Sequence, residues 1–455
     1  MSKSLTDSSV RSSFTQLWLP MIGGVLSVKA IGVSDAYFVG QLGEEPLAAI
    51  SFTFPIVMTL ISLAIGLSAG ASSVLSRVVG DGADGEKQRA IVAGTLVMAT
   101  GVAAFLSVAG WFSADTIVGL VGASGQQREM AALYMQIWFA GSFFLVIPIV
   151  ANGLLRAVGD GVSPALLMAF IAILNIGLNP LFIFGVGPVP ELGLHGAVTA
   201  TLIARGLAVV ATLILLFHKN LLDICVEKIK SGLSHWREIS RIGLPASLST
   251  SLNPFALSIA TAAVSTLGAA EVAAFGVVTK IQSFSLVPLL ALSSATAPYV
   301  GQNSGAGEIG RSRKALYLSA LIAITWASAL AVFMLFFGGW LMSQFTDSKA
   351  AQDAGALYLM IVPFSYAGYG VVIATSAALN GLGRSVLALC VSGGRAMALL
   401  APAAWAGVML GGYVGLSIAT VAANVISGLV ALAIIWKHPL TTRGDNRHAD
   451  GSEAE

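Results

Sequence analysis

The residue with the clearest chemical potential is an aspartate inside an apolar segment. Asp35 belongs to "IGVSDAYFVGQLG" (residues 31–43), in a run that is apolar almost back to Phe14. If this run spans a membrane, the carboxylate costs roughly 2.5–3.5 kcal/mol on insertion scales. Lys29 lies about 240° away around a helix and does not share its face. We expect Asp35 to face a polar cavity or neighbouring helices and to gain and lose a proton there, with a position near the headgroups or a structural hydrogen bond as the alternatives.

A pair of amides forms the second candidate site, in "NIGLNP" (residues 175–180). Asn175 and Asn179 are spaced i, i+4, so both side chains lie on one helix face. Pro180 has no N–H and leaves a backbone carbonyl near them without its donor. This set predicts a site for a proton or cation, and the alternative is polar contact that holds helices together.

Further candidates lie in other predicted spans. Tyr134, Thr199 and Thr201 could line the same polar cavity, although Ser and Thr are ordinary in packed membrane helices. Pro20 permits a bend early in the first span and is a candidate hinge, with a static kink as the alternative.

Several other kinds of chemistry have no support in the sequence. There is no metal-ligand cluster and no phosphate-binding loop, so nothing indicates an ATPase. Cys225 and Cys390 imply neither a disulfide framework nor a metal site. "GLSAG" (66–70) matches a hydrolase elbow, but it lies mid-helix, where its glycines favour close helix packing. We expect a protein that is not an enzyme and that has no resident metal or other cofactor.

The composition identifies the medium in which these residues act. The chain has 455 residues, of which 56% are hydrophobic and 10% charged, and its mean hydropathy is +0.85. A typical soluble chain carries about 25% charged residues. The apolar runs exceed the ~18 residues that suggest a span and do not alternate as barrel strands do. The sequence therefore predicts an all-α integral membrane protein.

We predict twelve transmembrane helices, at residues 14–40, 47–76, 90–112, 127–155, 162–186, 194–218, 239–267, 271–300, 314–345, 350–380, 385–410 and 411–436. The distribution of basic residues gives their orientation. Of 24 Lys and Arg residues, four lie well inside predicted spans (Lys29, Arg205, Lys280, Arg395), and those at the ends of spans are counted with the adjoining loops. Only Arg128 and Lys349 fall in odd-numbered loops, and the remaining eighteen lie in even-numbered loops and the termini. By the positive-inside rule, both termini face the cytoplasm.

The chain also contains an internal repeat. "QLGEEPLAAI" (41–50) aligns with "TLGAAEVAAF" (266–275), and "LRAVGD" (155–160) aligns with "LNGLGR" (379–384). The same order at nearly the same offset indicates duplication of a six-helix unit. Because six is even, the two copies have the same orientation and are expected to be related by a pseudo-two-fold axis along the membrane normal, around a central cavity.

The repeat also defines the predicted domains. They are a cytoplasmic N-terminal segment (1–13), an N-lobe (14–218), a cytoplasmic inter-lobe loop (219–238), a C-lobe (239–436) and a disordered cytoplasmic tail (437–455).

Together these motifs resemble the multidrug and toxic compound extrusion (MATE) transporters, in particular their DinF-like bacterial branch. The resemblance covers residues 14–436 and is carried by "DAYFVGQLG" in the first span, "PLAAISFTFP" opening the second and "NIGLNPLFIFG" in the fifth. It implies export of lipophilic, often cationic compounds in exchange for protons or sodium ions. Asp35, Asn175, Asn179, Tyr134 and Thr199 match the amino-lobe site, and Pro20 matches a proline at which the first helix is proposed to bend.

Two departures from the family pattern affect the coupling ion. Many relatives have an aspartate where this chain has Asn179, and the carboxy-lobe acids of the NorM-like and eukaryotic branches are missing. Coupling therefore rests on Asp35, which favours H⁺ over Na⁺, although Na⁺ at Asp35 stays open.

The sequence thus predicts a proton-coupled multidrug antiporter that works by alternating access. A flippase of lipids or lipid-linked oligosaccharides from the same superfamily is the alternative, and Arg205, Lys280 and Arg395 are too scattered to decide between them. We expect a monomer in the bacterial inner membrane. Its partners are the lipid bilayer and small-molecule drugs or toxins, not nucleic acid.

Overall fold

The computed structural model describes residues 5–185, 187, 189–223 and 225–437, and within these ranges the ordered elements are all helices. The first half contains α1 (Val10–Gly40), α2 (Glu44–Gly80), α3 (Gly85–Leu120), α4 (Gly125–Ala140), α5 (Ser142–Ala157), α6 (Val162–Phe184), α7 (Leu194–His218) and α8 (Val226–Leu233). The second contains α9 (Trp236–Ser265), α10 (Ala269–Ser285), α11 (Val287–Gly305), α12 (Ile309–Ser343), α13 (Lys349–Ile361), α14 (Tyr366–Gly381), α15 (Ser385–Gly393) and α16 (Ala401–Lys437).

Helices dominate because lipid offers no hydrogen bonds, so each backbone polar group needs a partner within its own segment. Eight helical stretches in the described residues are long and apolar enough to cross a membrane, and two bent pairs raise this to ten. The predicted count of twelve stays a prediction. Residues 385–436 count as one stretch, although Gly411 and Gly412 leave helical geometry inside it. The more polar α9 is not among the ten.

Two spans that the sequence predicted as single helices are bent by more than 40°. The predicted span 127–155 bends by 51° between α4 and α5 at Gly141, and 271–300 bends by 43° between α10 and α11. The Leu202 side chain packs against Gly141 in the space that a Cβ there would enter. The second repeat breaks at the equivalent place, where the 3-10 turn Val362–Ser365 separates α13 from α14.

The chain divides into two compact units. The first comprises Leu19–Ser247 and the second comprises Leu5–Trp18 with Leu248 onward. The predicted lobe boundaries therefore differ from the units at α1 and α9. The predicted inter-lobe loop also contains α8 and the start of α9, and it belongs to the first unit. The predicted tail, beyond its first residue, and residues 1–4 of the N-terminal segment lie outside the described residues.

In the first unit, glycines let α2 approach α9 closely. A Cβ at Gly66 would lie 2.5 Å from the Gly243 carbonyl oxygen, and one at Gly70 would collide with the Ile239 carbonyl. Ser247 Oγ also donates to the Leu63 carbonyl across this contact at 3.3 Å. The "GLSAG" motif is therefore a packing surface inside α2, as its sequence context predicts.

In the second unit, the beginning of α1 packs among later helices. Phe14 is fully buried with its ring centroid 5.7 Å from that of Tyr299. Trp18 Nε1 donates to the Pro288 carbonyl at 3.0 Å. Pro20 follows two residues later, inside a helix that continues to Gly40.

A loop of the first unit is fixed by one carboxylate. Asp160 Oδ1 accepts from the backbone N–H groups of Val162 and Ser163 (3.1 and 2.9 Å) at the start of α6, and Oδ2 lies 2.9 Å from Lys219 Nζ. The turn before it needs Gly159, whose φ is 89°. Burial alone would raise the pKa of the Asp160 carboxyl. The hydrogen bonds from Ser163 and the Lys219 ammonium outweigh burial and lower that pKa.

Replacing Asp160 with alanine is expected to destabilise the protein by about 1 kcal/mol at pH 7, because α6 loses its capping acceptor. Since the folded-state pKa lies below that of the unfolded chain, this contribution is present at neutral pH and lost as the pH falls. Thermal unfolding of purified Asp160→Ala and wild type should therefore differ at pH 7 and converge only when the pH falls below the ordinary aspartate pKa of 3.8. Asp81→Ala, which removes an exposed acid after α2, is the matched control and should change neither midpoint.

Candidate functional site

The candidate site lies in the first unit, where Asp35 meets the amides of α6. Asn179 Nδ2 donates to Asp35 Oδ1 at 2.7 Å. Asp35 lies in α1, five residues before its end, and is half-buried. Among the described residues no basic side chain forms an ion pair with it. A neutral amide therefore holds the carboxylate without fixing its charge.

The hydrogen bonds continue from Asp35 into the neighbouring helices. Asn179 Nδ2 also lies 3.4 Å from Asn175 Oδ1 and 3.3 Å from Ser34 Oγ. Asn175 Nδ2 donates to Thr201 Oγ1 at 2.9 Å. Both asparagines are fully buried, as their i, i+4 spacing on one face of α6 allows. The network thus joins α1, α6 and α7 through uncharged groups around one carboxyl.

The threonine in this network differs from the one assigned by family resemblance. Thr199 Oγ1 donates to the His195 carbonyl in its own helix at 2.8 Å. Thr201, two residues along α7, accepts from Asn175 instead. Successive positions on a helix point about 100° apart, so residues 199 and 201 cannot face Asn175 in the same way.

Aromatic side chains and one cation complete the surroundings of Asp35. Tyr134 is 6% exposed and interacts electrostatically with Asp35. The Arg205 guanidinium carbon lies 5.2 Å from the centre of the Trp138 ring, and Arg205 also interacts electrostatically with Asp35. Arg205 therefore contributes positive charge near the carboxylate from above an aromatic face, without an ion pair.

The site contains two side chains that the sequence analysis did not single out. Ser34 precedes Asp35 and shares its amide donor, and Trp138 lies one helical turn after Tyr134. Their closeness in the sequence to Asp35 and Tyr134 is the signal that could have identified them. Within the described part of the chain, no group of three or more His, Cys, Asp or Glu side chains could hold a metal ion. Asn179 Oδ1 is buried and has no hydrogen-bond partner there, which leaves one acceptor beside Asp35.

The other basic residues predicted inside spans have different surroundings. Lys280 lies on α10 with its side chain exposed at the protein surface. Arg395 is buried in the second unit, in the π-helical segment Gly394–Leu400, where amides contact it. The roles of Pro20, Tyr134 and Thr199 stay predictions.

Known proteins resemble this chain over nearly its whole length. A sequence model of the MatE family matches residues 20–181 and 245–406, one match in each repeat. An FAD transporter of Shewanella oneidensis is 33% identical over 412 residues, covering 90% of this chain and 91% of that protein. A probable multidrug resistance protein of Bacillus subtilis, YpnP, is 27% identical and covers 81% of each chain.

A solved structure agrees with these sequence matches. The crystal structure of VcmN, a Vibrio cholerae MATE transporter in the bent form, has a TM-score of 0.86 to this chain and 28% sequence identity. The similarity covers 93% of this chain and 95% of VcmN. With the all-helical fold, the apolar spans and a family match in both repeats, the chain belongs to the MATE family of multi-pass membrane transporters.

Proposed function

We propose that this chain exports small molecules across a bacterial inner membrane by alternating access, in exchange for protons that bind at Asp35. Both termini face the cytoplasm in this proposal, the protein acts as a monomer, and bending at Pro20 accompanies the cycle. VcmN is known in a bent form, which supports a fold with more than one conformation.

One observation carries the proposal. Asp35 is an acidic side chain in an apolar helix, and its described hydrogen-bond partner is the neutral amide of Asn179. A carboxylate locked in an ion pair would be costly to neutralise, whereas one held by an amide can take up a proton and keep that contact. An acid at this depth is most often part of an ion or proton pathway.

The surroundings of Asp35 favour a proton over a sodium ion. Arg205 contributes positive charge near the carboxylate and opposes a proton and a sodium ion alike, because each adds one positive charge. What separates the two ions is the number of oxygen ligands on offer. The amide oxygen of Asn175 also faces the donor of Asn179. Few free oxygen atoms remain to surround a metal ion.

In the proposed cycle, substrate and proton compete for the first unit. Protonation of Asp35 from outside releases substrate outward, and loss of that proton to the cytoplasm resets the carrier. Lipophilic cations suit a site that offers a carboxylate beside the aromatic rings of Tyr134 and Trp138. This cycle describes multidrug antiport, and the sequence similarity to YpnP supports it.

FAD export is a second candidate. The Shewanella oneidensis FAD transporter is 33% identical to this chain over nearly the full length of both. A dinucleotide carries negative charge and would need basic groups of the kind that Arg205 and Arg395 supply.

The test is efflux from proteoliposomes that contain the purified wild-type protein. Ethidium and FAD are measured separately under an imposed pH gradient, an imposed sodium gradient and neither. We expect ethidium transport with the pH gradient alone and no added effect of sodium. Transport of FAD but not ethidium would select the second candidate, and dependence on sodium alone would contradict proton coupling.

A further inference from the structure

A second charged group is buried in the second unit, and the proposed cycle does not use it. Arg395 is the second residue of the π-helical segment Gly394–Leu400, which separates α15 from α16. It is 6% exposed, and among the described residues no carboxylate forms an ion pair with it. A buried guanidinium without a counter-ion is unusual, because charges leave water only when they are paired.

The neighbours of Arg395 orient the guanidinium but do not neutralise it. Its Nη1 donates to Asn424 Oδ1 at 2.9 Å, and its Nη2 donates to Asn253 Oδ1 at 2.8 Å. Asn424 is held in turn, since its Nδ2 donates to Ser365 Oγ at 2.9 Å. The Tyr369 ring lies against the guanidinium with 3.9 Å from its centroid to Cζ. The three partners of Arg395 are neutral, so they hold the guanidinium in place without cancelling its positive charge.

Several buried donors in the second unit have no acceptor among the described residues. Arg395 Nε is buried and makes no hydrogen bond within the described residues. The hydroxyls of Tyr366 and Tyr413 are likewise buried without a partner, and the two side chains are 1% and 8% exposed. Tyr358 connects them, because its ring centroid lies 6.1 Å from that of Tyr413 and it interacts electrostatically with Arg395 and Tyr366.

These groups define the chemistry of a ligand that would fit beside Arg395. Unpartnered buried donors are costly and rare in folded proteins, and each one in a native structure needs an explanation. A positive charge with spare N–H and O–H donors matches an oxyanion, which only accepts. The tyrosine rings beside it match a flat apolar body. The π-helical turn at Arg395 adds a second indication, because such turns occur frequently at functional sites.

We propose that the second unit holds a binding site for a soluble aromatic anion, a carboxylate or phosphate attached to a flat ring, centred on Arg395 with Tyr366 and Tyr413 as further donors. The site extends the proposed export function to a class of substrate that the carboxylate of Asp35 would not attract. An anionic lipid headgroup has the same oxyanion chemistry but lacks the ring, and the test separates the two.

The test measures binding alone, so that it does not depend on transport. Wild-type protein in nanodiscs of phosphatidylcholine is titrated into 6-carboxyfluorescein, and fluorescence anisotropy gives the Kd. Rhodamine 123, a cation with the same ring system, is titrated in parallel. Arg395→Gln is expected to weaken carboxyfluorescein binding at least about tenfold, the value of a lost charge-assisted hydrogen bond, and Arg395→Lys to weaken it less.

Tyr366→Phe keeps the test decisive if Arg395→Gln fails to fold. Within the described part of the chain the Tyr366 hydroxyl has no hydrogen-bond partner, so its removal should leave the melting temperature unchanged or higher. It should still weaken carboxyfluorescein binding roughly fivefold, as loss of a neutral hydrogen bond does. Tyr317→Phe, at an exposed position on α12, is the matched control and should bind as wild type.

Three results would overturn the proposal. The first is that wild type shows no saturable binding of carboxyfluorescein. The second is that Arg395→Gln and Tyr366→Phe both bind the dye as tightly as wild type does. The third is that binding is lost when half of the lipid is replaced by phosphatidylglycerol. The last result would assign the site to a lipid phosphate. If the dye binds through Arg395 but wild type exports nothing under any gradient, this site stands and the export function is wrong.

Discussion

Replacing Asp35 with asparagine is expected to reduce proton-driven efflux to the rate of protein-free liposomes, with no loss of folded protein. Asn179 Nδ2 donates to Asp35 Oδ1 at 2.7 Å, and the amide oxygen of an asparagine can accept the same hydrogen bond. The side chain has nearly the same volume, so the contacts among α1, α6 and α7 should persist. What disappears is the group that takes up the proton.

The measurement compares initial rates of ethidium efflux for wild type and Asp35→Asn at equal protein density and the same imposed pH gradient. Asp115→Asn is the matched control, because it neutralises an exposed aspartate that pairs with Arg128 at 2.6 Å in the same unit. The control should transport as wild type does. Equal efflux by Asp35→Asn and wild type would remove Asp35 from the coupling mechanism and direct attention to Asn175 and Asn179.

The second large effect is expected from one methyl group in α2. Gly66→Ala places a Cβ 2.5 Å from the Gly243 carbonyl oxygen and nearer still to Ser247 on α9. Backbone atoms cannot rotate away as a side chain can, so the two helices must separate. Overpacking of this kind costs about 3 kcal/mol, or roughly 6–12 °C in melting temperature for a unit of about two hundred residues.

Gly101→Ala is the matched control for this prediction. Gly101 lies in the interior of α3, and a Cβ there meets nothing within 4 Å. The change should leave the melting temperature unchanged or raise it, because alanine favours helix by up to about 1 kcal/mol. Size-exclusion profiles and thermal melting of the two variants in detergent give the comparison. If Gly66→Ala melts with wild type, the α2–α9 contact is looser than the structure indicates.

Hydropathy predicted most of the fold, because lipid permits few backbone solutions. Long apolar runs placed the helices and the repeat gave their order. The bend at Gly141 was missed, because the apolar run continues through it and the Leu202 side chain that packs beside that glycine comes from another helix. No local pattern reports such a contact from a distant helix. The count of spans is likewise sensitive to α9, whose polar residues lower its hydropathy.

The candidate site could be predicted where spacing within one helix decided the geometry. Asn175 and Asn179 share a face of α6 by periodicity alone, and an acid in an apolar run is conspicuous. The choice between Thr199 and Thr201 needed the rotation of α7 against α6, which sequence does not contain. The surroundings of Arg395 could not be predicted from the sequence either, because its partner Asn253 lies on a helix distant in the chain and Asn424 lies 29 residues further on.

The assignment of residues 5–18 to the second unit has a consequence for the order of synthesis. These residues are made first, yet the unit to which they belong is complete only after residues 248–437 have followed. The first unit, in turn, waits for residues 239–247, which open the second repeat. A gene cut at residues 219–238 would yield two fragments that each lack a piece encoded by the other. We therefore expect neither fragment, made alone, to form its complete unit.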